Sequence, residues 1–129
     1  MKCASNEFRK SSVKNLINKT VCINKTVCSV AVVLSIAFGL APNMQTSQQG
    51  LTHIANLEGC RTQAYRCSAH VWTNGLGHTN GVKQGDVVDE EQIARNLIAD
   101  VQAAEKSVNR YLTADVTQAQ FDVLVSFVF

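Results

Sequence analysis

Apolar positions recur along this chain at two different spacings, with one unbroken apolar run ahead of both. The run is residues 27–41, VCSVAVVLSIAFGLA, and it carries no charge. Leu51, Ile54, Ala55 and Glu58 then fall at i, i+3, i+4 and i+7, which is one face of a helix. Thr46 followed by Gln49 has the spacing of a capping box, so the helix is expected to start there and to stop at Gly59. From residue 60 to 85 the rhythm changes. Tyr65, Val71, Trp72 and Thr73 are strand formers, set among glycines at 75, 77, 81 and 85 and asparagines at 74 and 80. That pattern predicts a small antiparallel sheet with tight turns. Residues 89–112 return to helical spacing, with Ile93, Leu97, Val101, Ala104 and Val108 as the apolar stripe. Asp89 is placed to cap this helix, and Glu90 and Glu91 lie where its dipole favours negative charge. A last helix begins at Thr117, with Gln120 completing a second capping box and Phe121, Leu124, Val125 and Val128 on its apolar face.

The apolar run is short for a spanning helix, which needs about 20 residues. Extending it back to Val21 reaches that length but takes in Asn24 and Lys25. Lysines precede the run and none follows soon after, which predicts its N-terminus inside the cell and its C-terminus outside. An uncleaved anchor is the preferred reading. A cleaved signal peptide and a buried core helix are the alternatives, the former weakened by the poor site at Gly39-Leu40-Ala41 before Pro42. Ala, Ser and Gly dilute the run, so a membrane would hold it loosely and later escape is physically reasonable. The expected organisation is therefore a basic cytoplasmic segment (1–26), a signal-anchor helix (27–42) and a domain (43–129).

Charge sharpens this division. Residues 1–25 carry six basic side chains against one acidic, whereas the rest of the chain carries six basic and nine acidic. The basicity belongs to the N-terminus and not to the body, which argues against a nucleic-acid partner. The near-repeat NKTVC at 18–22 and 24–28 suggests no chemistry. Five cysteines, at 3, 22, 28, 60 and 67, include no CxxC, and the Cys60–Cys67 spacing is poor for structural zinc. Disulfide or thiol chemistry is expected, with no metal and no cofactor.

Glu58 is the candidate acid. It sits on the apolar side of its helix, in the last turn, where burial and the negative end of the dipole both favour a protonated carboxyl. Glycosidic cleavage needs such an acid together with a group that handles water or the sugar cation. Cys67 and Thr73 could face Glu58 across a cleft on the sheet, although E-x8-C-x5-T alone is a weak motif. A Cys/His peptidase using Cys67 with His70 or His78 is an alternative from another class.

The stretch TSQQGLTHIANLEGCRTQAYRCSAHVWTNGLGHTNGV, continued by VTQAQFDVLVSFVF, resembles the phage-type (T4-like) lysozymes. It is most similar to prophage endolysins that carry a signal-anchor-release N-terminus. The resemblance covers about residues 46–129 and implies an α+β lysozyme fold, preceded here by the membrane helix. It implies hydrolysis of the β-1,4 bond between N-acetylmuramic acid and N-acetylglucosamine in peptidoglycan, with breakdown of the bacterial wall. Glu58 then carries over as general acid, Cys67 stands where many relatives have a water-handling aspartate, and Thr73 orients that water. His78 matches a family histidine of structural role. The expected setting is the inner membrane, through residues 27–42, with the domain in the periplasm as a monomer that can be released. In that compartment Cys60 and Cys67 could pair and tie up the site. Cys28, once out of the membrane, could exchange in to form Cys28–Cys60 and leave Cys67 as a thiol. The family continues past VSFVF with further helices, so a C-terminally truncated lobe, with the last helix partly uncovered, is expected, and an inactive remnant is the alternative outcome.

Overall fold

The computed structural model describes residues 27–129. The basic segment 1–26, with Cys3 and Cys22, lies outside the described residues. Four helices and one hairpin follow in the order α1 (Val30–Leu40), α2 (Gln48–Glu58), β1 (Arg61–Arg66), β2 (Trp72–Gly75), α3 (Glu90–Tyr111) and α4 (Gln118–Val128). This is an α+β arrangement of helices around a small two-stranded antiparallel sheet.

Helix α3 is the spine. Its 22 residues span about 33 Å at 1.5 Å per residue. Asp89 caps it by accepting from the Gln92 N–H at 2.7 Å, and the whole expected stripe from Ile93 to Val108 is buried. Helices α1, α2 and α4 all join one core with it, through Val33, Leu34 and Ala37, through Leu51, Ile54 and Ala55, and through Phe121 and Val125. The capping box of α4 forms as expected, with Thr117 and Gln120 each bonding the other's backbone N–H. Leu124 and Val128 on that helix are not covered, and Val123 and Phe127 are more exposed still, Phe127 at 90%.

One expectation needs correction. The cap of α2 is Ser47, whose hydroxyl oxygen accepts from the Gly50 N–H at 3.1 Å, and not Thr46. Thr46 is drawn away by a stronger acceptor: its N–H and hydroxyl both donate to Glu105 Oε1 at 2.7 Å, deep in the fold. A charged acceptor in a dry setting outcompetes a local backbone bond. The apolar run is helical as well. Among the described residues no helix is long and apolar enough to cross a membrane. The run forms an 11-residue helix of about 16 Å, started by Ser29, and it lies against α3 and α2. Full burial of Val33 and near-full burial of Leu34 are worth about 1.5–3 kcal/mol each, which explains why the helix docks when a core is within reach.

The hairpin pairs Arg61 with Gly75, Tyr65 with Thr73 and Arg66 with Trp72, with an irregular register between the first two pairs. Val27 adds an isolated antiparallel bridge to Arg61 on the outer side, so the N-terminal end of the α1 segment lies along β1. The Cys28 N–H donates to the Cys60 carbonyl at 3.3 Å.

Candidate active site

Glu58 is the last residue of α2, and Gly59 stops the helix in a left-handed conformation (φ 69°) that favours glycine. The carboxyl group of Glu58 rests on the backbone of Gly77, in the turn after β2. A side-chain carbon built at Gly77 would overlap it, lying 2.9 Å from the carboxyl carbon. Gly77 is also left-handed (φ 76°), so two requirements select glycine there: backbone conformation and room for the acid.

Thr73 is fully buried, and its hydroxyl donates to the Val71 carbonyl at 3.2 Å. Cys67 begins the hairpin tip. Its N–H donates to the Val71 carbonyl and its own carbonyl accepts from the His70 N–H at 2.8 Å. His70 takes a positive φ (59°) at this exposed tip. Burial raises the affinity of the Tyr65 phenol for its proton. The Arg61 cation opposes this, and the Glu58 charge adds to it. Glu58 is therefore within electrostatic reach of Tyr65, which stands opposite Thr73 in the hairpin. Cys67 and Thr73 thus both donate to the Val71 carbonyl near the hairpin tip.

His78 lies behind the site. Its Nδ1 is 2.8 Å from Asp100 Oδ2 on α3, which fastens the hairpin to the spine. Cys28 and Cys60 form a disulfide across Cα atoms 5.2 Å apart. Cys67 is also disulfide-bonded, so the free thiol expected for Cys67 once Cys28 takes Cys60 is not the state seen. A sulfur so engaged neither attacks a substrate nor activates water. A trough of about 760 Å³ lined by Gln45, Asn109, Leu112, Thr117, Gln118 and Phe121 lies at the far end of α3 and contains none of these residues.

Sequence reasoning overlooked Arg61 and Tyr65, whose guanidinium and ring are 4.7 Å apart. An Arg and a Tyr four apart beside a candidate acid were the available signal. It also overlooked Glu105, although that residue breaks the apolar stripe between Ala104 and Val108.

Glu58 thus stands at a helix end against a glycine turn, beside a short hairpin. The family model described as phage lysozyme matches residues 55–129, and the chain belongs to that family. It is 36% identical over 86 residues to the SAR-endolysin of Haemophilus phage HP1, covering 66% of this chain and 46% of that protein. It is 38% identical over 88 residues to the SAR-endolysin of Escherichia phage P1, covering 67% and 48%. The chain thus spans about half the length of these curated relatives. The crystal structure of the active form of P1 phage endolysin Lyz superposes with a TM-score of 0.73 at 36% identity, covering 80% of this chain and 58% of that one. The muramidase domain of SpmX from Asticaccaulis excentricus gives 0.59 at 35%, covering 64% and 56%.

Proposed function

We propose that this protein hydrolyses the β-1,4 bond between N-acetylmuramic acid and N-acetylglucosamine in peptidoglycan, as an endolysin that breaks the bacterial wall. The observation that carries the reading is Glu58 held at a helix end against Gly77, beside the hairpin of Thr73 and Cys67. Glu58 donates its proton to the leaving glycosidic oxygen. Cys67, as a thiol, holds the attacking water where many relatives use a carboxylate. Thr73, buried on β2 of the hairpin, orients that water once the tip moves on release of the Cys67 disulfide.

The names of the two SAR-endolysins and the uncharged run support a tether in the inner membrane through residues 27–42, with the domain on the periplasmic side. The packed α1 is then the released form, acting as a monomer. The Cys28–Cys60 bond needs residue 28 out of the bilayer, and reduction of the Cys67 disulfide by a cellular thiol frees the site.

The test is loss of turbidity of purified peptidoglycan, with and without a thiol reductant, followed by product analysis. Clearing with new reducing sugar ends is expected, and new free amines would instead mark a peptidase. Glu58→Gln should lower cleavage about 10²–10⁴-fold. Cys67→Asp restores a carboxylate and should clear without reductant; if it clears only as the parent does, Cys67 is not the cage.

A further inference from the structure

Five cysteines leave little freedom in how they pair. Cys28 and Cys60 are bonded to each other, and Cys67 is bonded too. Within one chain the partner of Cys67 is therefore Cys3 or Cys22. Both lie outside the described residues, so the choice falls to the sequence and to what flanks Cys67.

Three observations favour Cys22. It ends the pentapeptide NKTVC at 18–22, and the same five residues recur at 24–28 and end in Cys28. The near-repeat thus presents a second thiol in the same local setting as the one that reaches Cys60. Direction agrees. Val27 bridges Arg61 in the antiparallel sense, and the Cys28 N–H donates to the Cys60 carbonyl at 3.3 Å. The chain therefore arrives at Cys28 running against β1. Read backward, that direction leads from Cys60 toward the hairpin tip, where Cys67 follows Arg66. Reach agrees as well. Six residues separate Cys22 from Cys28, and they extend to about 20–22 Å. The six residues of β1, between Cys60 and Cys67, rise about 20 Å. Cys3 would close a far longer loop, at a higher cost in chain entropy.

We propose that Cys22 is the partner of Cys67, so that the NKTVC duplication supplies a second lock on the site, one that outlasts the exchange joining Cys28 to Cys60. The inference rests on the glycosidase reading above and deepens it by naming what closes Cys67 in the released form. The middle of β1 is already paired on its outer side: the Ala64 N–H donates to the Asp86 carbonyl and the Val88 N–H to the Thr62 carbonyl, both at 2.9 Å. A segment that spans β1 outside this pairing is fastened by sulfur at its two ends. Forming the second bond takes one external disulfide. The Cys67 thiolate attacks a small disulfide RSSR of the oxidising compartment, giving Cys67–SR and one RS⁻. The Cys22 thiolate then attacks the Cys67 sulfur and expels the second RS⁻. Two protein thiols are oxidised to one disulfide, and RSSR is reduced to two small thiols. A thiol reductant runs the sequence backward. Leaving the membrane is therefore not enough to open the site, and a reducing step comes second.

Two measurements on the full chain test this. In the first, free thiols of the oxidised protein are alkylated, trypsin digests it without reduction, and the peptides are weighed. Cleavage after Lys and Arg puts Cys3 on peptide 3–9, Cys22 on 20–25, Cys28 and Cys60 on 26–61, and Cys67 on 67–83. A cross-link between 20–25 and 67–83 is expected. Cys67 joined to 3–9 or to 26–61, or found alkylated, would overturn the proposal. The second is peptidoglycan clearing by the parent, Cys3→Ser and Cys22→Ser. The parent and Cys3→Ser should need reductant. Cys22→Ser should lose that dependence and clear without reductant as fast as the reduced parent. A Cys22→Ser chain that still needs reductant would also sink the idea. If no chain clears under either condition, the glycosidase reading fails, and the peptide map alone still decides whether Cys22 holds Cys67.

Discussion

The two ends of helix α2 use the same device for opposite purposes. At each end a carboxyl group is pressed against a glycine: Asp122 on Gly50 at the start, and Glu58 on Gly77 past the finish. At the start the acids are saturated with donors. Asp122 accepts from the Ser47 N–H at 3.0 Å, from the Ser47 hydroxyl in a short bond, and from Gln118 at 2.8 Å. Glu105 accepts from Thr46 twice. Negative charge there also agrees with the helix dipole. At the finish the dipole opposes negative charge, and the glycine that receives Glu58 offers no side chain to it. One end holds the helix in the fold, and the other carries the proposed acid.

The largest expected effect comes from breaking the functional end without touching the acid. Gly77→Ala must place a side chain on a left-handed backbone and in the space of the Glu58 carboxyl group. The backbone strain is about 1–3 kcal/mol. Displacing the acid by about 1 Å is enough to lose 10²-fold in rate. Thermal unfolding and peptidoglycan clearing, measured on the same sample, should show a modest fall in Tm beside a near-complete loss of activity. If clearing falls only in proportion to the folded fraction, Gly77 serves the turn and not the acid.

The same comparison shows what a linear chain reveals. Spacing exposed several local devices: the Asp89 cap, the Thr117–Gln120 box, the Gly59 stop and the stripe of α3 each involve partners three or four residues apart. The Glu58 end was legible as local structure, because Glu58 and its stop lie within one turn, while the roles proposed for Glu58, Cys67 and Thr73 came from the resemblance. The anchoring end was not. Thr46 and Ser47 look equally good as caps, and the choice is made by Glu105 and Asp122, which lie 59 and 75 residues away from them. The cysteine pairing was left open for the same reason: Cys28 and Cys60 are 32 residues apart. The apolar run shows a further limit. Hydropathy measures how well a segment leaves water, and does not say whether a bilayer or α3 receives it.

A smaller effect is expected from breaking the anchoring end. Glu105→Ala strands the Thr46 N–H and hydroxyl in a setting where Thr46 is 5% exposed. A buried donor without an acceptor costs about 1–3 kcal/mol. Chemical denaturation should show that loss, while clearing per folded molecule stays at the parental level. A drop in specific activity as large as that of Gly77→Ala would mean that the two ends are not separable.

The smallest effect is the most diagnostic of charge. Burial pushes the Asp122 carboxyl up, but the Ser47 hydroxyl, the Ser47 N–H and Gln118 together outweigh it and hold the group below the usual carboxylate value. A depressed carboxylate contributes stability that is fully present above its unfolded value. That contribution is lost as pH falls through the lower, folded value. For an aspartate this places the loss below about pH 4. Asp122→Asn keeps the shape and one acceptor but removes the titration. Its stability should be lower than the parent's at neutral pH, and the gap should close on acidification, because the parent alone has this contribution to lose. Urea midpoints at neutral pH and below pH 4 measure it. A gap that stays constant across that range would show that Asp122 holds Ser47 by shape and hydrogen-bond count, with its charge contributing nothing.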